Sequence, residues 1–126
     1  MNECEQWGDE RVWLCADQGE PISTPRTAMD AIGDALAACA TVVAVPVRRL
    51  GDEFFRLSSG LAGEFAQKAV NYRLRLAVVG DIERFLADSE ALRAWVRECG
   101  RRQDVLFVAD RQALAERLKA VDANDG

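Results

Sequence analysis

Apolar positions along this chain switch between a period of two and a period near 3.6, and each switch marks an element. Arg11 to Ala16 (RVWLCA) is a short apolar-rich run entering Asp-Gln-Gly-Glu, the pattern of a strand followed by a turn. Pro21 to Ser23 offers a short partner strand for a hairpin. Thr24 before Pro25 fits an N-cap with proline at the first helical position, and Met29, Ile32, Leu36 and Cys39 then recur at helical spacing. Thr41 to Val45 (TVVAV) is a β-branched run stopped by Pro46, as a strand buried on both faces requires.

Gly51-Asp52 opens a second helical region, in which Leu61, Phe65 and Ala69 with Ala62, Ala66 and Val70 form an apolar stripe ending near Asn71-Tyr72. Gly60 and Gly63 mark a break or a close backbone approach within it. Leu74 to Val79 is the next strand. Ser89 caps a helix whose Leu92, Trp95, Val96 and Cys99 lead to Gly100 as the residue past its end. Val105 to Val108 is the last strand, and Leu114, Leu118 and Val121 place a closing helix.

This order predicts an α/β fold: a single layered domain with a mostly parallel sheet, five-stranded or, without the short Pro21–Ser23 strand, four-stranded, with helices on its faces. The domain is expected over residues 11–121, with residues 1–10 poorly ordered or extended and 122–126 a fraying polar tail.

Composition narrows the chemistry. The 126 residues, 49% hydrophobic, suffice for one core without disulfides or structural metal. Sixteen basic against 21 acidic side chains give a net charge of −5, which disfavours nucleic acid as a partner. There is no apolar run of membrane-spanning length and no signal-peptide pattern, so a cytoplasmic protein without membrane attachment is expected. Cys4, Cys15, Cys39 and Cys99 form no C-x-x-C pair and read as reduced structural thiols. The chain has no histidine, which removes Ser-His and Cys-His catalysis and every His-dependent zinc site. Neither a cofactor nor a metal is expected.

Three features carry candidate chemistry. Glu64, Gln67, Lys68 and Asn71 share one helix face, either a recognition surface or a solvated side with a Glu64–Lys68 ion pair. Ser58, Ser59 and Gly60 precede that helix, where backbone N–H groups favour an anion or a phosphorylated hydroxyl; the plainer role is an N-cap. Asp81 follows Gly80 at a strand's carboxyl end, and Asp110 and Asp17 hold comparable places, where Asp can bind Mg²⁺ or simply cap a turn. Tyr72, Arg73 and Arg75 add groups that could meet an anionic ligand or complement the helix dipole.

The run FFRLSSGLAGEFAQKAVNYRLRLAVVGD, with VLFVAD and an Ala/Leu-rich closing helix after it, resembles the bacterial domain of unknown function 4180. The element order, with Ser58-Ser59-Gly60-Leu61 at a helix start, is also similar to the STAS domains of anti-sigma-factor antagonists. That second resemblance implies a phosphorylation site at Ser59, with Leu57 standing where the STAS turn has Asp.

Together these features predict a regulatory or binding domain, non-enzymatic, that recognises a protein partner or small anionic ligand through Ser58 to Asn71, with Arg73 and Asp81 beside it. The alternative is a small biosynthetic enzyme using Glu64 or Asp81 as acid or base, with Lys68, Tyr72 or Arg73 orienting the substrate. A pocket lined by Glu64, Tyr72 and Asp81 would favour the enzyme. A symmetric homodimer is compatible with either.

Overall fold

Strand alternation divides the core of this protein into two layers. In the computed structural model, which describes residues 2–124 and side chains through Lys119, five strands form one sheet in the order β1-β2-β3-β4-β5. They are β1 Glu3–Trp7, β2 Glu10–Leu14, β3 Val42–Pro46, β4 Arg75–Val79 and β5 Val105–Val108. The β1–β2 pair is antiparallel and the other three pairings are parallel.

Successive strand residues point to opposite faces. On β3, Val43 and Val45 face one layer and Val42 and Ala44 the other; on β4, Leu76 and Val78 oppose Ala77. Both faces are therefore apolar, which explains the unbroken TVVAV and LAVV runs.

The helices are α1 Pro25–Ala37, α2 Val47–Phe55, α3 Leu61–Asn71, α4 Glu83–Asp88, α5 Glu90–Arg102 and α6 Arg111–Asn124, with a turn of 3₁₀ helix at Leu57–Ser59. Each parallel crossover advances the sheet by one place, so crossovers of constant hand leave their helices on one face. There Ile32, Phe54, Phe65 and Leu92, all fully buried, pack on the sheet. Phe54 is the centre of this layer, with its ring 5.0 Å from Phe55, 6.4 Å from Phe65 and 6.2 Å from Trp95, each edge to face. The opposite face is covered by α6, whose Leu114 and Leu118 are fully buried against Val12, Val42 and Leu106.

Local signals account for most boundaries. Thr24 and Thr27 form a reciprocal capping box, with Thr27 N donating to Thr24 Oγ1 (3.1 Å) and Thr24 N to Thr27 Oγ1 (3.0 Å), ahead of Pro25. Ser89 Oγ accepts from Leu92 N (3.1 Å) at the start of α5. Helices α1 and α3 end alike. In each the second residue past the C-cap donates back to the first residue of the last turn, Ala40 N to Ala35 O (2.9 Å) and Leu74 N to Ala69 O (2.8 Å). The intervening Cys39 and Arg73 take left-handed φ values of 59° and 60° where glycine is usual.

The fifth strand is not the expected one. Pro21–Ser23 forms no strand, and the partner of β2 is instead β1, inside the segment expected to be poorly ordered or extended. Gly8, at φ 65°, and Asp9 make the two-residue turn that pairs Trp7 with Glu10. Helix α2 starts directly after Pro46 rather than at Gly51, whose φ of 68° and ψ of 179° put a kink inside it. The break before α3 falls at Gly60, φ 80°, while Gly63 is helical and a Cβ there would meet nothing within 4 Å. Helix α5 continues past Gly100 to Arg102 and ends at Gln103 in the left-handed region. Of the expected tail, 122–124 belong to α6; 125–126, and the side chain of Val121, lie outside the described residues.

Candidate functional site

Parallel strands end together, so the loops after β2, β3, β4 and β5 meet at one edge. They enclose an open groove of about 1150 Å³. Its lining includes Ala16, Asp17 and Gln18 after β2; Val47, Arg48 and Gly51 after Pro46; Gly80, Asp81, Arg84 and Phe85 after β4; and Asp110 and Arg111 after β5.

Glycine at position 80 makes the groove's floor. Gly80 has φ 139°, and a Cβ there would lie 2.8 Å from Val47 Cγ2 and 3.0 Å from Val47 Cβ, so the starts of two loops touch where no side chain fits. Gly80 N also donates to Val108 O (2.9 Å), fixing it to β5.

Arg49 holds the first loop. Its Nη1 donates to Ala16 O (2.8 Å), while Nε and Nη2 donate to Glu20 O (3.0 and 2.8 Å). Ile22 N donates back to Arg49 O (2.7 Å). The loop carrying Asp17 and Gln18 is thereby tied to α2 through one guanidinium. Gly19 at φ 148° lies against that group, and a Cβ there would stand 3.1 Å from Arg49 Cζ.

Most charged groups of the groove already have partners. Asp81 Oδ1 accepts from Glu83 N (2.9 Å), and Asp110 Oδ1 from Ala113 N (2.8 Å) at the head of α6. Arg111 holds Glu3 (3.2 Å) and Glu5 of β1. Arg84 stands 3.6 Å from Asp52 and over the Phe85 ring, which stacks on Phe55. Arg48 and Asp17, both exposed, make no hydrogen bond or ion pair among the described residues. Although three aspartates reach this edge, no cluster of three or more acidic or cysteine side chains among the described residues could hold a metal ion.

The other expected site residues are placed differently. Helix α3 runs antiparallel to β4, so Asn71, Tyr72 and Arg73 precede the strand that Asp81 follows. Five strand residues separate them, about 16 Å at ~3.3 Å per residue. Glu64 and Tyr72 do not line the groove, nor do Ser58, Ser59 and Gly60. The exposed face of α3 largely satisfies itself, with Lys68 Nζ 3.9 Å from Glu64 and Gln67 Nε2 donating to Asn71 Oδ1 (2.9 Å). Ser59 Oγ donates to Glu53 O (2.8 Å) and accepts from Leu61 N (3.3 Å), joining α2 to α3 across the bend, while Gly60 is the N-cap. Arg75 pairs with Glu10 (2.7 Å), both mostly buried, at the opposite edge of the sheet.

Sequence reasoning missed Arg48 and Arg49. The rule that picked out Asp17, Asp81 and Asp110, polar residues just past a parallel strand, applies equally to the pair after Pro46-Val47. Cys15 and Cys99 are packing groups by comparison, whereas Cys39 is exposed. Burial pushes the Cys15 thiol up to about 11, with Arg49 pulling slightly the other way and Asp34 adding to the rise. Cys99 rises to about 11 chiefly through burial, helped by Asp104. All four cysteines are free.

Fold and groove define a mixed α/β domain with a mostly parallel five-stranded sheet and an open groove at its strand-end edge. The chain belongs to the family described as Domain of unknown function (DUF4180), whose model matches residues 8–118. No curated protein and no solved structure matches it. Among the described residues no helix is long and apolar enough to cross a membrane.

Proposed function

We propose that this domain is a non-enzymatic binding module that takes a small anionic ligand in the strand-end groove. The observation that carries this reading is Arg48, a guanidinium without a partner among the described residues, lining a groove of about 1150 Å³, in the size range of ligand sites. Asp81 borders the same groove, committed through one oxygen to its own turn. Glu64 is paired on an exposed helix, an arrangement that suits surface stability better than proton transfer. A cytoplasmic, STAS-like regulatory role in bacteria accords with the acidic chain, its free thiols and a sheet wound from one side.

The test is a titration of ¹⁵N-labelled protein with inorganic phosphate and with citrate. Amide shifts at Gly51 and Gly80 that Arg48→Gln abolishes are expected. Shifts confined to Gln67–Arg73, or no shifts at all, would reject the groove.

A protein partner, or a second copy of this chain, reading the outside of α3 is the other proposal. It is favoured by Val70 and Tyr72, exposed by 41% and 49% beside the Gln67–Asn71 pair. Sedimentation of wild type against Val70→Ser/Tyr72→Ser tests self-association, and an unchanged monomer in both would remove the homodimer.

A further inference from the structure

Resting on the groove reading, the charge pattern narrows its ligand: we propose that the groove takes a zwitterion, its anionic group on Arg48 and its ammonium on Asp17. Five of the lining charges are spoken for. Asp81 and Asp110 cap the segments that follow them, Arg111 pairs with Glu3 of β1, and Arg84 covers Phe85. What remains, among the described residues, is one free cation, Arg48, and one free anion, Asp17.

Their placement is specific. Leu14 and Ala44 are register partners on adjacent parallel strands, which lie ~4.8 Å apart. Asp17 stands three residues past Leu14, in the loop after β2, and Arg48 four past Ala44, in the first turn of α2, so the two charges sit at the same edge on adjacent segments. Opposite charges so placed would ordinarily close on each other, yet no ion pair joins them. Two constraints fit this separation. Arg49 draws the Asp17 loop onto α2 through Ala16 O and Glu20 O, and the kink at Gly51 limits the segment that carries Arg48 to one turn.

A simple anion on Arg48 would bring a second negative charge toward the Asp17 carboxylate, and a simple cation would repeat the conflict at Arg48. A molecule with both charges satisfies both groups, and charge-assisted contacts at its two ends fix its orientation.

A ladder of ω-amino acids measures the separation directly. Wild-type protein, Arg48→Gln and Asp17→Asn are titrated with β-alanine, 4-aminobutyrate and 6-aminohexanoate, with hexanoate and hexylamine as single-charge controls. Binding is read by calorimetry and by the Gly51, Gln18 and Gly80 amides. Both replaced side chains are exposed, so melting temperatures near wild type will verify that the variants fold.

One chain length should bind best, the controls and both variants being weaker by about tenfold or more. Hexanoate binding as well as 6-aminohexanoate, with Asp17→Asn unaffected, would overturn the zwitterion and leave the anion groove standing. Silence at these amides with every amino acid, and also with phosphate and citrate, would overturn both.

Discussion

Replacing Gly80 by alanine probes the contact that shapes the groove. The new methyl group would meet Val47 Cγ2 at 2.8 Å and Cβ at 3.0 Å, closer than carbon atoms approach without displacement, and φ 139° is itself a conformation alanine rarely adopts. Val47 cannot simply swing away: it is β-branched, partly buried and in the first turn of α2. The backbone strain should cost about 1–3 kcal/mol. Overpacking should add about 1–3 kcal/mol more. Urea unfolding at constant m reads this as a fall in midpoint of roughly 1–3 M.

The double-mutant cycle with Val47→Ala separates the two contributions. Losing Cγ2 removes the 2.8 Å overlap but leaves the 3.0 Å approach to Cβ and the dihedral strain, so Gly80→Ala should cost about 1–2 kcal/mol less in the Val47→Ala background. Effects additive within about 0.5 kcal/mol would refute the steric reasoning. So would a Gly80→Ala protein as stable as wild type.

Phe54→Ala, removing a fully buried ring in contact with three other aromatics, should cost about 3–5 kcal/mol by the same urea assay. Arg73→Gly should raise stability by about 0.5–1 kcal/mol, because φ 60° strains arginine and not glycine; a lower melting temperature would count against that reading. With thiol reagent at pH 8, Cys39 should react fast and Cys15 and Cys99 slowly, since burial keeps the latter two protonated up to about pH 11. Because their folded pKa values lie above the unfolded 9.0, the stability they contribute is complete below pH 9. It is lost as pH rises through about 11, so the urea midpoint should decline across that window.

Period and capping signals were legible where local chemistry and tertiary packing agree. Thr24-Pro25, Ser89, the TVVAV strand and LAVV all stand where their residues direct, as does the mostly parallel sheet. Strand β1 was obscured because ECEQW is an edge strand with polar residues on both faces, and only the Gly8-Asp9 turn before RVWL signalled a hairpin. The end of α5 misled for a related reason: Gly100 supplies no stop when the helix can run on and let Gln103 take the left-handed cap. The candidate site was only partly readable. Asp81 stands at the groove as strand order implies, but a helix antiparallel to its strand carries Asn71 to Arg73 to the far edge, a consequence that spacing along α3 alone does not reveal.

The two sides of the sheet are guarded very unequally. Five helices share the burden on one side; on the other, within the described residues, α6 shields Val12, Val42, Ala77 and Leu106. That helix follows β5 in the chain, so every nascent copy makes all five strands before the helix that covers this oily surface is available. The Asp110 cap and the Arg111 clasp on β1 act where α6 begins, giving the late arrival an anchored end from which to close over that surface.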